Sequence, residues 1–260
     1  MKHASTLAFL RATALSAGLA LAAGAATAQT LTMGVRGGPE SMDPHYSALG
    51  VHAAAAKHIF DTLVWSGDDL QIEPGLATSW EPIDEDTWEF KLREGVTFHD
   101  GAEFTAEDVK FSIERIPEVT GPTTTTIYVR RVDEVEIIDD HTIHIHTDGP
   151  AATLPYDFVR LFIVSADAAA DYSTAETAAE GFNSGAATIG TGPYRYVSWE
   201  PKGDLVLERY DDYWRGMGAW ETVIRSEIPN DSSRLAALKA GQVDVINYVY
   251  KIHANIMQAK

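Results

Sequence analysis

Strand-like and helix-like segments alternate along this 260-residue chain, which predicts an α/β or mixed fold. Three observations carry that reading. An opening segment alternates apolar and polar residues. Segments with a helical apolar period carry recognisable start and stop signals. A later pair of period-two segments flanks an acidic turn.

Taken in order, residues 31–36 (LTMGVR) read as a strand, closed by Gly37-Gly38-Pro39. Pro44 keeps Asp43 out of the helical region, so residues 41–45 form a loop. Residues 51–63 read as a helix whose apolar face is Val51, Ala55, Ile59 and Leu63. Pro74, Pro82 and Asp84-Glu85-Asp86 mark loops before a strand at 88–92. His99-Asp100-Gly101 is a tight turn. Thr105 then stands as an N-cap, with Asp108 as the acid of a capping box. Phe104 and Val109 are spaced as a hydrophobic staple. Val109, Ile113 and Ile116 share one helical face, and Pro117 ends the helix.

Residues 132–138 and 142–147 alternate by two around Asp139-Asp140 and read as a hairpin. Residues 166–183, rich in Ala, Thr and Ser, read as a loop with a short helix. Gly190-Thr191-Gly192-Pro193 marks a boundary. Strands at 205–209 and 223–228 flank an aromatic loop at 210–220. Asp231 caps a helix over 232–240, Gly241 takes the C′ position, and 243–246 is a last short strand.

The ends and composition bound the class. Lys2 and Arg11, an Ala- and Leu-rich run at 12–24 and the small-x-small triplet Ala26-Thr27-Ala28 form a secretory leader over 1–28. The mature chain then starts at Gln29. Cysteine is absent, which excludes disulfides, thiolate metal sites, a cysteine nucleophile and a lipid anchor behind the leader. The expected place is therefore the periplasm, with no membrane insertion after leader cleavage. The formal charge of −18, from 38 acids and 20 bases, opposes binding to nucleic acid and anionic lipid.

Two runs at fixed spacing, FHDGAEFTAEDVKFSIER at 98–115 and GTGPYRYVSWEPKGDLVLERYDDYW at 190–214, resemble the family 5 extracellular solute-binding proteins. These are the peptide and nickel receptors of ABC importers. The resemblance covers about residues 31–247. It implies a periplasmic binding protein-like α/β fold of type II, cluster C. In such a fold 29–65 and 186–250 form the main lobe (lobe I) and 66–185 an inserted subdomain. A second lobe that closes over the ligand is missing from this chain, and 251–260 is a divergent tail at the truncated crossover. The resemblance also implies a monomer that binds a peptide or other small solute and hands it to ABC permease subunits, with no cofactor. Nickel chelates, haem, opines and oligosaccharides are alternative cargoes on this scaffold, and a non-binding remnant is a further reading.

Several residue groups invite chemical readings. His141, His144 and His146 look like metal ligands, and His144 and His146 share one strand face. Ile143 and Ile145 then face the core, which leaves the histidines on the solvated side and no metal site. His99-Asp100 with Glu103 is better explained by the turn and cap than by acid–base catalysis. The Gly190 turn lacks the Lys-Ser/Thr of a phosphate loop, and Pro193 removes an amide. The aromatics Tyr194, Tyr196, Trp199, Tyr210, Tyr213, Trp214 and Trp220 read mostly as packing. A secreted hydrolase finds no supporting motif, so no catalytic residue is assigned. By resemblance, the ligand is met by Tyr46, Ala48, Leu49 and Gly50 after the Met42-Asp43-Pro44 turn, and by Asn247 and Tyr248 at the end of the last strand. Extended peptides are held by main-chain hydrogen bonds, and the small Ala48 and Gly50 would admit a close backbone.

Overall fold

The structure is a computed structural model that describes residues 29–119 and 121–248. The expected leader at 1–28 and the tail at 251–260 lie outside the described residues. In chain order the elements are β1 (Thr30–Val35), α1 (Gly50–Ala56), β2 (Val64–Ser66), β3 (Ile72–Pro74), β4 (Ala77–Pro82) and β5 (Thr87–Leu92). There follow α2 (Ala106–Arg115), β6 (Val132–Asp139), β7 (Thr142–Thr147), α3 (Leu154–Asp157), α4 (Ala166–Ala169) and α5 (Ala178–Ser184). The chain continues with β8 (Tyr194–Trp199), β9 (Asp204–Arg209), β10 (Thr222–Glu227), α6 (Asp231–Lys239) and β11 (Val245–Ile246).

Two larger sheets organise these elements. One runs β11-β1-β10-β9-β8, with β1 parallel to both β10 and β11, and the β8-β9-β10 part antiparallel. The other is antiparallel, in the order β4-β5-β7-β6. Each has its own core. Phe90, Ile143 and Ile145 of the four-stranded sheet pack with Val109 and Ile113 of α2 and with Leu154 and Phe158. Leu205, Leu207 and Val223 of the five-stranded sheet pack with Ala55, Ile59, Phe60 and Phe182. Among the described residues no helix is long and apolar enough to cross a membrane.

The local signals of the sequence are realised at α2. The Thr105 amide donates to the Asp108 carboxylate at 2.9 Å. The second oxygen of Asp108 accepts the Ala166 amide at 2.8 Å, so one acid ties the starts of α2 and α4. Val109, Ile113 and Ile116 are buried, and Pro117 turns the chain into a single 3-10 turn. The β6–β7 hairpin forms as expected, and Gly241 sits past α6 with φ of 68°.

Other expectations need correction. The helix expected over 51–63 stops at Ala56, because the His58 and Ile59 carbonyls accept the amides of Tyr194 and Gly192 from the distant Gly190 turn. Long-range pairing has replaced helical pairing there. The stretch around Pro74 and Pro82 holds β2, β3 and β4 rather than loops alone. These strands are short or exposed and so lack an apolar alternation, and Pro82 stands at the last position of an edge strand. β8 was also not anticipated as a strand. The α6 cap is Asn230, whose side chain accepts the Ser233 amide at 2.9 Å, and Asp231 is the first helical residue. The last strand is only Val245–Ile246.

Candidate functional site

A hollow of about 620 Å³ opens where β1 and β10 end. Gly37, Gly38 and Glu40 follow β1. Tyr46, Leu49 and His52 come from the next loop and α1. Trp199 and Lys202 come from the β8–β9 turn, and Glu227 from the end of β10. Two carboxylates, one ammonium and two aromatic rings therefore face one concavity. A Cβ at Gly38 would lie 2.9 Å from a Glu227 carboxylate oxygen, so glycine lets this acid reach across the mouth.

The loop carrying Tyr46 is held from beneath by buried charge. Arg115 at the end of α2 meets Asp43 with two parallel hydrogen bonds of 3.0 and 2.9 Å, both side chains being almost fully buried. The same guanidinium donates to His45 Nδ1 at 2.7 Å, and His45 Nε2 donates to the Phe162 carbonyl at 2.7 Å. Burial opposes the charge of Asp43, but the Arg115 charge and hydrogen bonds outweigh it and hold the carboxyl below its ordinary range. His45 is pushed down to about 4, first by burial and then by Arg115, so it stays neutral with the proton on Nε2. The backbone turn is fixed as well. The His45 amide donates to Asp43 Oδ1 at 2.9 Å, and His52 Nε2 donates to the Asp43 carbonyl at 2.8 Å.

Beyond this anchor the loop is stitched to residues 121–125. Ala48 N donates to the Thr123 carbonyl at 2.6 Å, and the Ser47 and Thr123 hydroxyls lie 2.9 Å apart. A Cβ at Gly121 would collide with the Tyr46 carbonyl, so only glycine permits this close approach.

The residues singled out in the sequence fall into two groups. Tyr46 and Leu49 line the hollow, and Leu49 is 47% exposed. Ala48 is half-buried beside them, while Gly50 starts α1 with open space around it. The amides of Tyr46, Ala48 and Leu49 already donate inside the protein, to Asp43 O, Thr123 O and Ser47 Oγ. Asn247 and Tyr248 lie at the neighbouring edge. Asn247 Oδ1 accepts the Arg36 amide at 2.9 Å, one residue before Gly37, and Tyr248 is 60% exposed. Sequence reasoning missed His52, Lys202 and Glu227. Trp199 stood only within the aromatic group, because the strand that ends on it was not anticipated.

The other sequence candidates have structural partners. His99 is buried, with Nε2 donating to the Gly192 carbonyl at 2.9 Å and its pKa lowered to about 4 by burial. His144 approaches Glu89 at 3.1 Å and Glu136 at 3.6 Å, and His146 approaches Glu136 at 3.4 Å. Tyr213 and Trp214 donate to the buried Asp61 carboxylate at 3.1 and 2.8 Å, and Thr191 adds a third bond at 3.0 Å.

The family model for bacterial extracellular solute-binding proteins, family 5 middle, matches residues 71–260. The chain belongs to that family. The glutathione-binding protein GsiB of Pectobacterium atrosepticum is 27% identical to this family 5 chain over 205 residues, covering 78% of it and 38% of the relative. The periplasmic oligopeptide-binding protein OppA of Escherichia coli K12 is 26% identical over 267 residues, covering 94% and 48%. Among solved structures, OppA of Burkholderia pseudomallei superposes with a TM-score of 0.74 at 26% identity, over 86% of this chain and 47% of that one. A nickel ABC transporter protein of Bacillus halodurans gives 0.74 at 30% identity, over 89% and 46%. The chain thus spans less than half the length of these relatives, and the fold they share with it is the mixed α/β fold of family 5.

Proposed function

We propose that this chain is the ligand-receiving half of a periplasmic solute receptor of an ABC importer, with peptides as the preferred cargo. The observation that carries this is the hollow itself: an open concavity with a rigidly anchored loop on one wall and two carboxylates at its rim. In this reading 29–65 and 186–250 form lobe I, and 66–185 an inserted subdomain whose end, through Phe162, Val164 and Phe182, leans on the lobe I core. Tyr46, Ala48, Leu49, Gly50, Asn247 and Tyr248 border the ligand.

Three loop amides are already engaged within the protein, and the hollow is lined by the acids Glu40 and Glu227 against the single ammonium of Lys202, so charged acceptors outnumber charged donors there. Such a surface suits a ligand rich in N–H donors, which an extended peptide supplies. Capture works by closure: contacts from a second lobe stabilise the closed form over the open one. The groups described here work by holding and orienting a solute, and the receptor carries out no reaction on it.

Calorimetry with a set of short peptides tests the reading. The 260-residue chain alone is expected to bind no tighter than millimolar, since half the contacts and the closing motion are wanting. Micromolar affinity of this chain alone would overturn the two-lobe requirement. Mass spectrometry of solutes that co-purify with a two-lobed form identifies the cargo, and a haem or nickel chelate in place of peptides would overturn the cargo assignment.

A further inference from the structure

Arg234, on α6, is among the largest fully buried side chains of the described residues. Its guanidinium carries five N–H groups, and five acceptors surround it. Nε donates to the Asn247 carbonyl at 3.0 Å. One terminal nitrogen donates to the Ile228 and Pro229 carbonyls at 2.8 and 3.4 Å. The other donates to Asp231 Oδ1 at 2.6 Å and to the Tyr248 carbonyl at 2.9 Å. Those carbonyls belong to two places where the backbone leaves the five-stranded sheet: just past β10 and just past β11.

The surroundings are shaped for this side chain. A Cβ at Gly34 would stand 3.2 Å from Arg234 Cγ and 3.1 Å from Ile246, so β1 carries glycine where the stem passes. Side chains at both ends of β11 fix its register on β1. Asp244 accepts the Thr32 amide at 2.7 Å, and Asn247 accepts the Arg36 amide at 2.9 Å. Tyr248 takes a left-handed backbone conformation, φ 54°, which is uncommon for a bulky residue and calls for outside support.

We infer that Arg234 is a positioning residue that clamps the exit of the chain from the sheet, setting the direction in which Asn247 and Tyr248 leave the lobe. The consequence for closure rests on the receptor reading above: a fixed exit gives the moving lobe a stiff pivot, so ligand contacts are spent on closing rather than on ordering the strand end.

Hydrogen exchange on the full 260-residue chain tests the clamp without any ligand. Arg234→Gln is expected to deprotect the Asn247 and Arg36 amides at least tenfold while changing the Leu207 and Ile224 amides of β9 and β10 less than twofold. Arg234→Lys keeps charge and stem but has three donors and no fork, so it is expected to restore part of the protection, and it carries the test if Arg234→Gln fails to fold. Because the chain has no cysteine, a spin label at Tyr248→Cys is unique. It is expected to be immobile in the parent background and mobile in either Arg234 variant. Unchanged exchange at 247, equal deprotection across both sheets, or a label already mobile in the parent would overturn the clamp. Failure of the receptor reading would show differently, as absent solute binding by a two-lobed form whose exchange pattern still responds to Arg234.

Discussion

Two clusters in this molecule use the same residue types to opposite effect. Beneath the hollow, Asp43, His45 and Arg115 are buried and satisfied mainly by one another. On the outer face of the four-stranded sheet, Glu89, Glu136, His144 and His146 lie at similar separations but share water. Coulomb attraction is screened at the outer face, and each side chain keeps an alternative partner in solvent. At the inner cluster, losing one member strands the rest in a poor solvent for charge. Distance alone therefore does not rank the two; burial does.

The comparison breaks most sharply at Arg115. Arg115→Met should destabilise the protein by about 3–5 kcal/mol, the cost of leaving a buried carboxylate without its counter-charge. The double variant Arg115→Met, Asp43→Asn should recover part of that loss, because a neutral amide tolerates the same site. Urea denaturation measures both. A double variant no more stable than the single one would show that packing, including Arg115 over the Phe182 ring at 4.8 Å, matters more than charge.

Titration separates buried from exposed groups in a second way. His45, His58 and His99 are each held down to about 4, with burial as the first cause. Their folded pKa lies below the unfolded value of about 6.5, so their stabilisation is present above that pH and is lost as pH falls towards 4. Asp61 moves the other way, raised to about 6 by burial despite its three donors. Its folded pKa exceeds the unfolded value of about 3.9, so it returns stability as pH falls through 6. Near pH 5, unfolding takes up three histidine protons and releases one aspartate proton. The expected loss is about 2–3 kcal/mol per pH unit at most. Asp61→Asn removes the offset and should steepen the slope by about 1.4 kcal/mol per pH unit. Stability independent of pH between 6.5 and 4.5 would contradict the burial argument.

How much of this could be read in the residues differs between fold and site. Thr105, Asp108 and Pro117 act within a few positions of each other, and so do the hairpin strands and Gly241. Local chemistry announces such features. The shortened α1 was hidden because the carbonyls that end it pair with Tyr194 and Gly192, more than 130 residues away. Likewise Arg115 reads locally as a charge at a helix end, and nothing near it names Asp43 as its partner. The loop after Pro44 was legible through family resemblance. Lys202 and Glu227 were not, since a sheet brings them to the rim and no spacing signals it.

A smaller test lies between the clusters. Gly121→Ala places a methyl against the Tyr46 carbonyl, and overpacking of this kind costs about 1–3 kcal/mol. The Tyr46 side of this contact is anchored at Asp43, so residues 121–125 are the side expected to give way. Amide exchange should therefore rise at Ala48, whose bond to Thr123 spans the same contact, and stay level in α2. Equal protection at Ala48 in the variant would mean that the methyl is absorbed without parting the two segments, and that glycine is not what their close approach requires.

The smallest effect is expected at the outer face. His146→Ala removes a half-exposed ring that meets Glu136 at 3.4 Å and accepts from the Thr87 hydroxyl at 3.1 Å. Screening leaves such a pair worth about 0–1 kcal/mol, so the change should be at or below about 0.5 kcal/mol. A loss comparable to that of Arg115→Met would mean that the sheet face is far less open to water than its exposure indicates. In that case the rule that burial decides between the two clusters would not hold for this protein.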